Sequence, residues 1–231
     1  MDKRLNKFIA ESGVCSRRQA DKLIDERRVK VNGKLQLEKG IAINPKKDVV
    51  EVDGKKINII QNKKYIIMNK PVGYVTTVKE QMGRPCVTDI IKENTRVYPV
   101  GRLDMDTSGL LILTNDGELT NKITHPKNHI YKTYEVITYK KVENEDVIKL
   151  RNGVDIGEYI TAPAIVKKIS DAKLEISIHE GKNRQVRKMI EAIDNKVKAL
   201  NRIKIGGLYL RKLKQGEYIY VNKAFIEKVF K

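Results

Sequence analysis

The chain has 231 residues, 40% of them hydrophobic, which is enough for one large domain or two smaller domains with apolar cores. Its 47 basic and 29 acidic residues give a net charge of +18, which favours a polyanionic partner: nucleic acid first, and an anionic membrane surface second. Because the polar start MDKRLNKF and the lack of a long apolar run predict neither a signal peptide nor a membrane span, we expect a cytoplasmic protein.

The first 60 residues predict a small basic domain of two helices followed by strands. Residues 2–13 predict a helix capped by Asp2 and ended by Gly13, and Ser16 is the expected cap of a second helix. The stretch VKVNGKLQL, residues 29–37, predicts two strands joined by an Asn-Gly turn. Several basic residues fall outside the apolar stripes and predict one RNA-binding face: Arg4, Lys7, Arg17, Arg18, Arg28 and Lys30.

The segment SRRQADKLIDERRVKVNG, residues 16–33, resembles the S-four-like RNA-binding domain, named for a protein of the small ribosomal subunit. The resemblance covers about the first 60 residues. It departs from the family at Arg27, where glycine is usual. If this position needs a left-handed backbone, arginine costs roughly 1 kcal/mol there.

Residues 61–231 predict a second, larger domain that begins after a break near residues 61–64. Strands are expected at 65–68, 110–114, 131–139, 164–169 and 174–179, and helices at 118–124, 145–151 and 184–193. The strands outnumber the helices and do not alternate with them. We therefore expect an α+β fold with a mostly antiparallel mixed sheet and flanking helices, rather than a doubly wound sheet.

The stretch GRLDMDTSGLLILTNDG, residues 101–117, places two aspartates before an apolar run, and calcium binding is one explanation for them. Four residues match positions one, three, five and six of an EF-hand loop: Asp104, Asp106, Ser108 and Gly109. The twelfth position should hold a bidentate glutamate but is Asn115, and flanking helices are not expected. The pattern therefore argues against an EF-hand.

An aspartic protease is a second explanation, because residues 106–109 spell the Asp-Thr-Ser-Gly of that family's catalytic segment. That chemistry needs two such carboxylates sharing a proton, and the chain has one copy. It would therefore have to dimerise, and a net charge of +18 does not suggest a peptide substrate.

Five segments, in order, resemble the bacterial pseudouridine synthases of the RsuA/RluB type, and with the first domain they cover nearly the whole chain. They are NKPVGYVTT (69–77), the aspartate segment (101–117), YKTYEV (131–136), HEGKNRQVRKM (179–189) and ALNRIKIGGLYL (199–210). The resemblance implies isomerisation of uridine to pseudouridine in ribosomal RNA, and it is greatest for the branch that modifies the large subunit. It implies a monomer that uses no cofactor or metal, with naked rRNA or a pre-ribosomal particle as substrate.

The resemblance also assigns three catalytic residues. Asp104 is the catalytic carboxylate, as a nucleophile or a base. Tyr134 stacks on the extruded uracil, whereas Tyr131 and Tyr139 fit a core role better. Arg187 pairs with the catalytic carboxylate and keeps it ionised.

Further residues have supporting roles in this prediction. Leu200 packs near the pocket, and Arg102 fills the space that the flipped base vacates. Arg184 and Lys188 contact phosphate or form a solvated basic face, because helical spacing places them with Arg187 away from the apolar stripe. Asp106 has no matched catalytic position and is expected to cap backbone groups of its own turn.

Metal and cofactor signals are weak. The histidines His125, His129 and His179 offer no convincing ligand set, and neither a GxGxxG nor a GxxxxGK[ST] motif occurs. Cys15 and Cys86 lie far apart and predict free thiols in a reducing compartment. The main alternative of another class is a non-catalytic RNA-binding or ribosome-assembly factor, which would not need the three catalytic residues together.

Overall fold

A computed structural model describes residues 2–78 and 82–230 and divides the chain into two compact units. One unit comprises Met1–Lys63, Asn94–Arg96 and Asn115–Gly117, and the other comprises Lys64–Glu93, Val97–Thr114 and Glu118–Lys231. Each unit has its own apolar core. Among the helices of the described residues, none is both long and apolar enough to cross a membrane.

The N-terminal unit packs two helices on short antiparallel strands. Its elements are β1 (Lys3–Arg4), α1 (Leu5–Glu11), α2 (Arg17–Asp25), β2 (Val29–Val31), β3 (Lys34–Leu35), β4 (Ala42–Ile43), β5 (Val50–Val52) and β6 (Lys55–Ile57). Ser16 accepts a hydrogen bond from the Gln19 backbone N–H at 3.2 Å, which confirms the predicted cap of α2. Asn32 and Gly33 both have positive φ, as a two-residue turn between β2 and β3 requires.

In this unit one predicted helix cap is wrong and one conditional prediction is fulfilled. Helix α1 begins at Leu5, not near Asp2, because Lys3–Arg4 pair with Ala42–Ile43 as a strand. The expected Asp2 cap is therefore wrong. Arg27 has φ +57, so the position where the resembled family has glycine is left-handed here, at a cost of roughly 1 kcal/mol.

The larger unit is a mixed sheet with flanking helices. Its strands are β7 (Tyr65–Lys70), β8 (Tyr98–Pro99), β9 (Ser108–Thr114), β10 (Lys132–Thr138), β11 (Ile165–Ser170), β12 (Lys173–Ile178), β13 (Val197–Ile205), β14 (Leu208–Tyr209) and β15 (Tyr218–Val221). Its helices are α3 (Gly117–Thr124), α4 (Asn144–Asn152), α5 (Gln185–Glu191) and α6 (Lys223–Val229), with 3-10 turns at Val87–Ile90 and Pro126–Asn128. The predicted α+β class is confirmed.

The sheet order is β11-β12-β10-β13-β9-β7-β15, with β14 beside β13 and β8 beside β9. Every pairing between these strands is antiparallel except one: β9 and β13 run parallel through Ser108 with Asn201 and Gly109 with Arg202. The expectation of a mostly antiparallel sheet is therefore confirmed. The parallel pair joins the two halves of the sheet directly after the predicted catalytic aspartate.

Gly109 makes the approach of β9 to β13 possible. Its φ is +115, and a Cβ built on it would lie 2.4 Å from the backbone oxygen of Arg202 and 2.5 Å from its backbone nitrogen. No side chain fits at that distance, so only glycine allows this contact. The residues before Gly109 are consequently held close to β13.

Candidate active site

The two aspartates lie on a loop whose main chain is bonded at every carbonyl. We call residues 102–107 the aspartate loop. Each of its six carbonyl oxygens accepts a hydrogen bond. The donors, in chain order, are Arg202 Nη1, Thr76 Oγ1, Thr107 N, Gly73 N, Arg187 Nη2 and Lys70 Nζ, at 3.4, 2.6, 3.1, 2.8, 2.9 and 2.8 Å. This bonding fixes the backbone that carries the two carboxylates.

The Asp104 carboxylate is the less constrained of the two. Its side chain is 34% exposed, and its nearest cationic atom is Arg184 Nη1 at 4.0 Å from Oδ2. Within the described part of the chain it forms no hydrogen bond. An accessible carboxylate with its lone pairs uncommitted can act as a nucleophile or a base on a bound substrate.

The Asp106 carboxylate is bound by two arginines. Arg184 donates to its two oxygens at 3.2 and 3.0 Å, and Arg187 Nη2 lies 3.3 Å from Oδ2. Burial alone would raise the pKa of Asp106, but the hydrogen bond from Arg184 and the charges of both arginines hold it below its usual value. The carboxylate also bonds to its own backbone, as expected for a turn aspartate, so the two arginines add contacts that the sequence did not predict.

In this structure Arg187 contacts the carboxylate of Asp106 rather than that of Asp104, with which it was expected to pair. Arg187 Nη2 donates to the main-chain oxygen of Asp106 at 2.9 Å and lies 3.4 Å from Thr107 Oγ1. That anchor places the guanidinium beside residue 106, so the carboxylate within its reach belongs to Asp106. Its side chain is only 10% exposed.

The other basic residues near α5 have different surroundings. Arg184 lies outside the helix, with φ +50, although it was predicted to begin it. Its position is set by the next residue, because Gln185 is buried and donates to Glu180 at 2.7 Å. Lys188 forms an ion pair with Glu158, which offsets its charge locally.

Lys70, at the end of β7, donates hydrogen bonds to the main chain on either side of the site. The sequence pattern did not identify it as a site residue. Its side chain is fully buried, and Nζ donates to the main-chain oxygens of Pro71 and Thr107 at 2.9 and 2.8 Å. Burial lowers the pKa of Lys70 to about 8, against the opposing charges of Asp106 and Asp104. A buried amine therefore holds the last residue of the aspartate loop.

Strand β13 and its neighbour β10 carry two further predicted residues. Leu200 is buried in the apolar core, and the half-buried Tyr134 packs against the same core. Tyr134 of β10 pairs with Arg202 of β13, and Arg202 pairs on its other side with Gly109 of β9. Tyr131 and Tyr139 are 38% and 69% exposed, so the expectation that they suit a core role better is wrong.

Arg102 begins the aspartate loop and has an exposed side chain. Its main-chain oxygen is held by Arg202, but its guanidinium makes no polar contact within residues 2–78 and 82–230. It is therefore available to a ligand at the loop.

Some residues of the predicted basic face of the N-terminal unit form ion pairs, and others do not. Arg28 donates to Asp53 through two bonds of 2.7 Å and to Glu26 at 2.9 Å. The half-buried Lys7 lies 3.7 Å from Glu11. In the described part of the unit, four exposed members make no ion pair: Arg4, Arg17, Arg18 and Lys30.

The residues that were considered as metal ligands do not come together as a metal centre in the described part of the chain. Ser108 and Gly109 are buried in β9, so they cannot complete a calcium loop. Over residues 2–78 and 82–230, His, Cys, Asp and Glu side chains form no group of three that could hold a metal ion. His129 and His179 approach each other at 3.4 Å between their Nδ1 atoms without a third ligand. Neither Cys15 nor Cys86 forms a disulfide.

This fold and site define a class of RNA-modifying enzyme. Residues 64–192 match the family model described as RNA pseudouridylate synthase, and residues 3–45 match the S4 domain. The chain belongs to the RNA pseudouridylate synthase family. It is an enzyme that isomerises uridine to pseudouridine in RNA, as the resemblance implied, and neither a protease nor a non-catalytic binding factor.

The relatives cover almost all of the chain. An uncharacterized RNA pseudouridine synthase of Aquifex aeolicus is 42% identical over 100% of this chain and 95% of its own. Ribosomal large subunit pseudouridine synthase B of Bacillus subtilis is 45% identical over 93% of this chain and 90% of its own. A solved pseudouridylate synthase, 33% identical, superposes with a TM-score of 0.72 and covers 98% of this chain and 99% of its own.

Proposed function

We propose that the protein converts one specific uridine of large-subunit ribosomal RNA to pseudouridine, acting as a cytoplasmic monomer. The similarity to the large-subunit synthase of Bacillus subtilis over 93% of the chain supports the choice of RNA. The net charge of +18 provides the affinity for phosphate that this substrate needs. Naked rRNA and a pre-ribosomal particle are the two forms of substrate to compare.

The observation that carries the catalytic assignment is the unequal binding of the two carboxylates. Asp106 is held by Arg184 and Arg187, whereas Asp104 is accessible and, among the described residues, has one cation within 4.0 Å. Asp104 is therefore our proposed catalytic residue. In the reaction the bond from sugar carbon one to ring nitrogen one breaks, and a bond from the same sugar carbon to ring carbon five forms. Carbon five loses a proton, and nitrogen one gains one.

The surrounding residues fit recognition of an extruded base. The target uracil must leave its stack before either bond can be reached, and it then needs an apolar or aromatic surface. In our proposal the ring of Tyr134 provides that surface, with Leu200 packed beside it. The exposed Arg102 takes the space that the base vacates. Arg184, whose side chain is 44% exposed, contacts a flanking phosphate, and Lys188 completes the basic surface.

The N-terminal unit provides a prediction about affinity. Changing Arg17 and Arg18 together to glutamine should flatten the dependence of rRNA binding on salt, because two exposed cations no longer neutralise phosphate. The slope of log K against log salt should fall by roughly 0.7 to 0.9 for each phosphate that is no longer neutralised. Filter binding of the double variant between low and physiological salt measures this slope.

Arg28→Gln is the matched control for the salt experiment. Its charge is already offset by Asp53 and Glu26, so its removal should change the slope much less. A slope that is unchanged in the double variant would show that Arg17 and Arg18 do not touch the RNA backbone. A larger effect of Arg28→Gln would show that the RNA-binding face is centred on Arg28 instead.

Tritium release from RNA labelled at carbon five of uridine tests the proposed function. Large- and small-subunit rRNA would be compared separately, each as naked RNA and in precursor particles. We expect release from the large-subunit RNA alone, at one tritium per molecule. Release from small-subunit RNA only would overturn the choice of substrate, and release from particles only would identify the assembly intermediate as the substrate.

A further inference from the structure

Arg202 on β13 connects the first residue of the aspartate loop to β9, the strand that follows the loop. Its Nε donates to the main-chain oxygen of Leu110 at 2.8 Å, and its Nη1 lies 3.4 Å from the oxygen of Arg102. The same residue's backbone meets Gly109. One buried guanidinium therefore joins the residue that begins the loop to the strand that follows it.

We propose that Arg202 is a positioning residue of the isomerisation reaction: it sets the geometry of the aspartate loop and thereby of Asp104. This inference rests on the proposed catalytic role of Asp104. Arg202 acts through the main chain and forms no ion pair with either aspartate. Among the six carbonyl bonds of the loop, its bond is the one that holds the first residue, Arg102, against β13.

The surroundings of Arg202 do not explain it as a stabilising residue. Its side chain is 3% exposed, and within the described residues no carboxylate pairs with it. Its charge contributes to the lowered pKa values of two neighbouring amines, Lys70 and Lys132, behind the larger effect of their burial. Its Nη2 is buried without an acceptor, and such an atom costs stability. A buried, unpaired cation is a poor way to stabilise a sheet.

A role in positioning does explain these features. A guanidinium presents several donors in one rigid plane, so a single side chain can bind two carbonyls, one on β9 and one on the aspartate loop. Small displacements of a reacting group are expensive, since an error of about 1 Å can reduce a rate about 100-fold. Arg202 thus fixes a distance that the chemistry depends on.

Two substitutions test this inference in the full-length protein. Arg202→Gln removes the charge and the bridge between the two carbonyls, and we expect the single-turnover rate constant to fall about 100-fold. In Arg202→Lys the charge stays, but one ammonium cannot reach both carbonyls, so an intermediate fall of about 10-fold is expected. The dissociation constant for rRNA should stay within about threefold of wild type, because Arg202 is buried.

Arg151→Gln is the matched control. Arg151 donates to the main-chain oxygen of Val166 at 3.0 and 2.7 Å, so this change also removes a guanidinium–carbonyl interaction, but from α4. It should leave the single-turnover rate unchanged. Hydrogen exchange of a peptide containing residues 102–107 provides a second readout, and Arg202→Gln should accelerate exchange there more than in the rest of the sheet.

Three results would overturn the role of Arg202. They are a folded Arg202→Gln with a wild-type rate constant, a rate loss that only follows the unfolded fraction, and a loss of RNA affinity equal to the loss of rate. If Arg202→Gln does not fold, Arg202→Lys decides alone, and a wild-type rate in it would refute the inference. Wild-type protein without tritium release on any rRNA would instead overturn the proposed function, and the inference with it.

Discussion

Asp104→Asn should abolish tritium release while leaving rRNA affinity nearly unchanged. The amide has the size of the carboxylate but cannot act as a nucleophile or a base, so the rate should fall by several decades, roughly 10⁴-fold. Affinity should persist because a carboxylate contributes nothing favourable to phosphate binding. Single-turnover release at saturating enzyme, with filter binding of the same RNA, separates the two quantities.

Asp106→Asn is the control that the structure provides for this experiment. It lies two residues away and is more exposed than Asp104, but its oxygens bind Arg184 and Arg187. Its replacement should loosen Arg184 and remove the charge beside Arg187, which stays anchored to the main-chain oxygen of residue 106, and should reduce the rate only moderately, about 10-fold. If Asp104→Asn kept more than about 1% of wild-type turnover while Asp106→Asn kept none, the two roles would have to be exchanged.

Gly109→Ala should strongly destabilise the larger unit. The new Cβ would lie 2.4 Å from a backbone oxygen of β13, and φ is +115. Strand β9 or β13 would have to move, at an expected cost of about 4 kcal/mol or more in the free energy of unfolding. Thermal unfolding of the full-length protein, followed by near-ultraviolet circular dichroism, measures the effect.

Gly157→Ala separates the strain of positive φ from the steric clash. Gly157 has φ +85, and a Cβ there would meet nothing within 4 Å. Only the backbone conformation should oppose this change, so it should cost about 1 to 2 kcal/mol. Equal losses in the two variants would show that the close approach of β9 and β13 is unimportant for stability.

The sequence was most informative where apolar residues form a continuous run or a known motif. The run at 110–114 predicted most of β9, and its burial on both sides produces that pattern. The cap at Ser16 and the Asn-Gly turn were predicted from local chemistry and are present. Strand β13 was not predicted, because polar residues interrupt its apolar ones. Asn201 bonds to Ser108 of β9, and Arg202 bonds to Leu110 of β9 and to Arg102 of the aspartate loop.

The site was less predictable than the fold because its contacts involve the main chain. A motif identified Asp104, but it did not show which aspartate Arg187 would contact. That choice depends on the main-chain oxygen of Asp106, to which Arg187 is anchored. Lys70 and Arg202 were likewise missed as site residues, because carbonyl acceptors leave no signature in the sequence. The roles of the individual site residues are still predictions.

The bonding of the aspartate loop has a consequence for biosynthesis. Its cationic donors come from positions 70, 187 and 202, so most of the chain must be synthesised before the loop is complete. Contacts this distant in sequence form late in folding, whereas the small N-terminal unit has local contacts and its own core. We therefore expect the N-terminal unit of a growing chain to bind RNA well before the chain can isomerise a uridine.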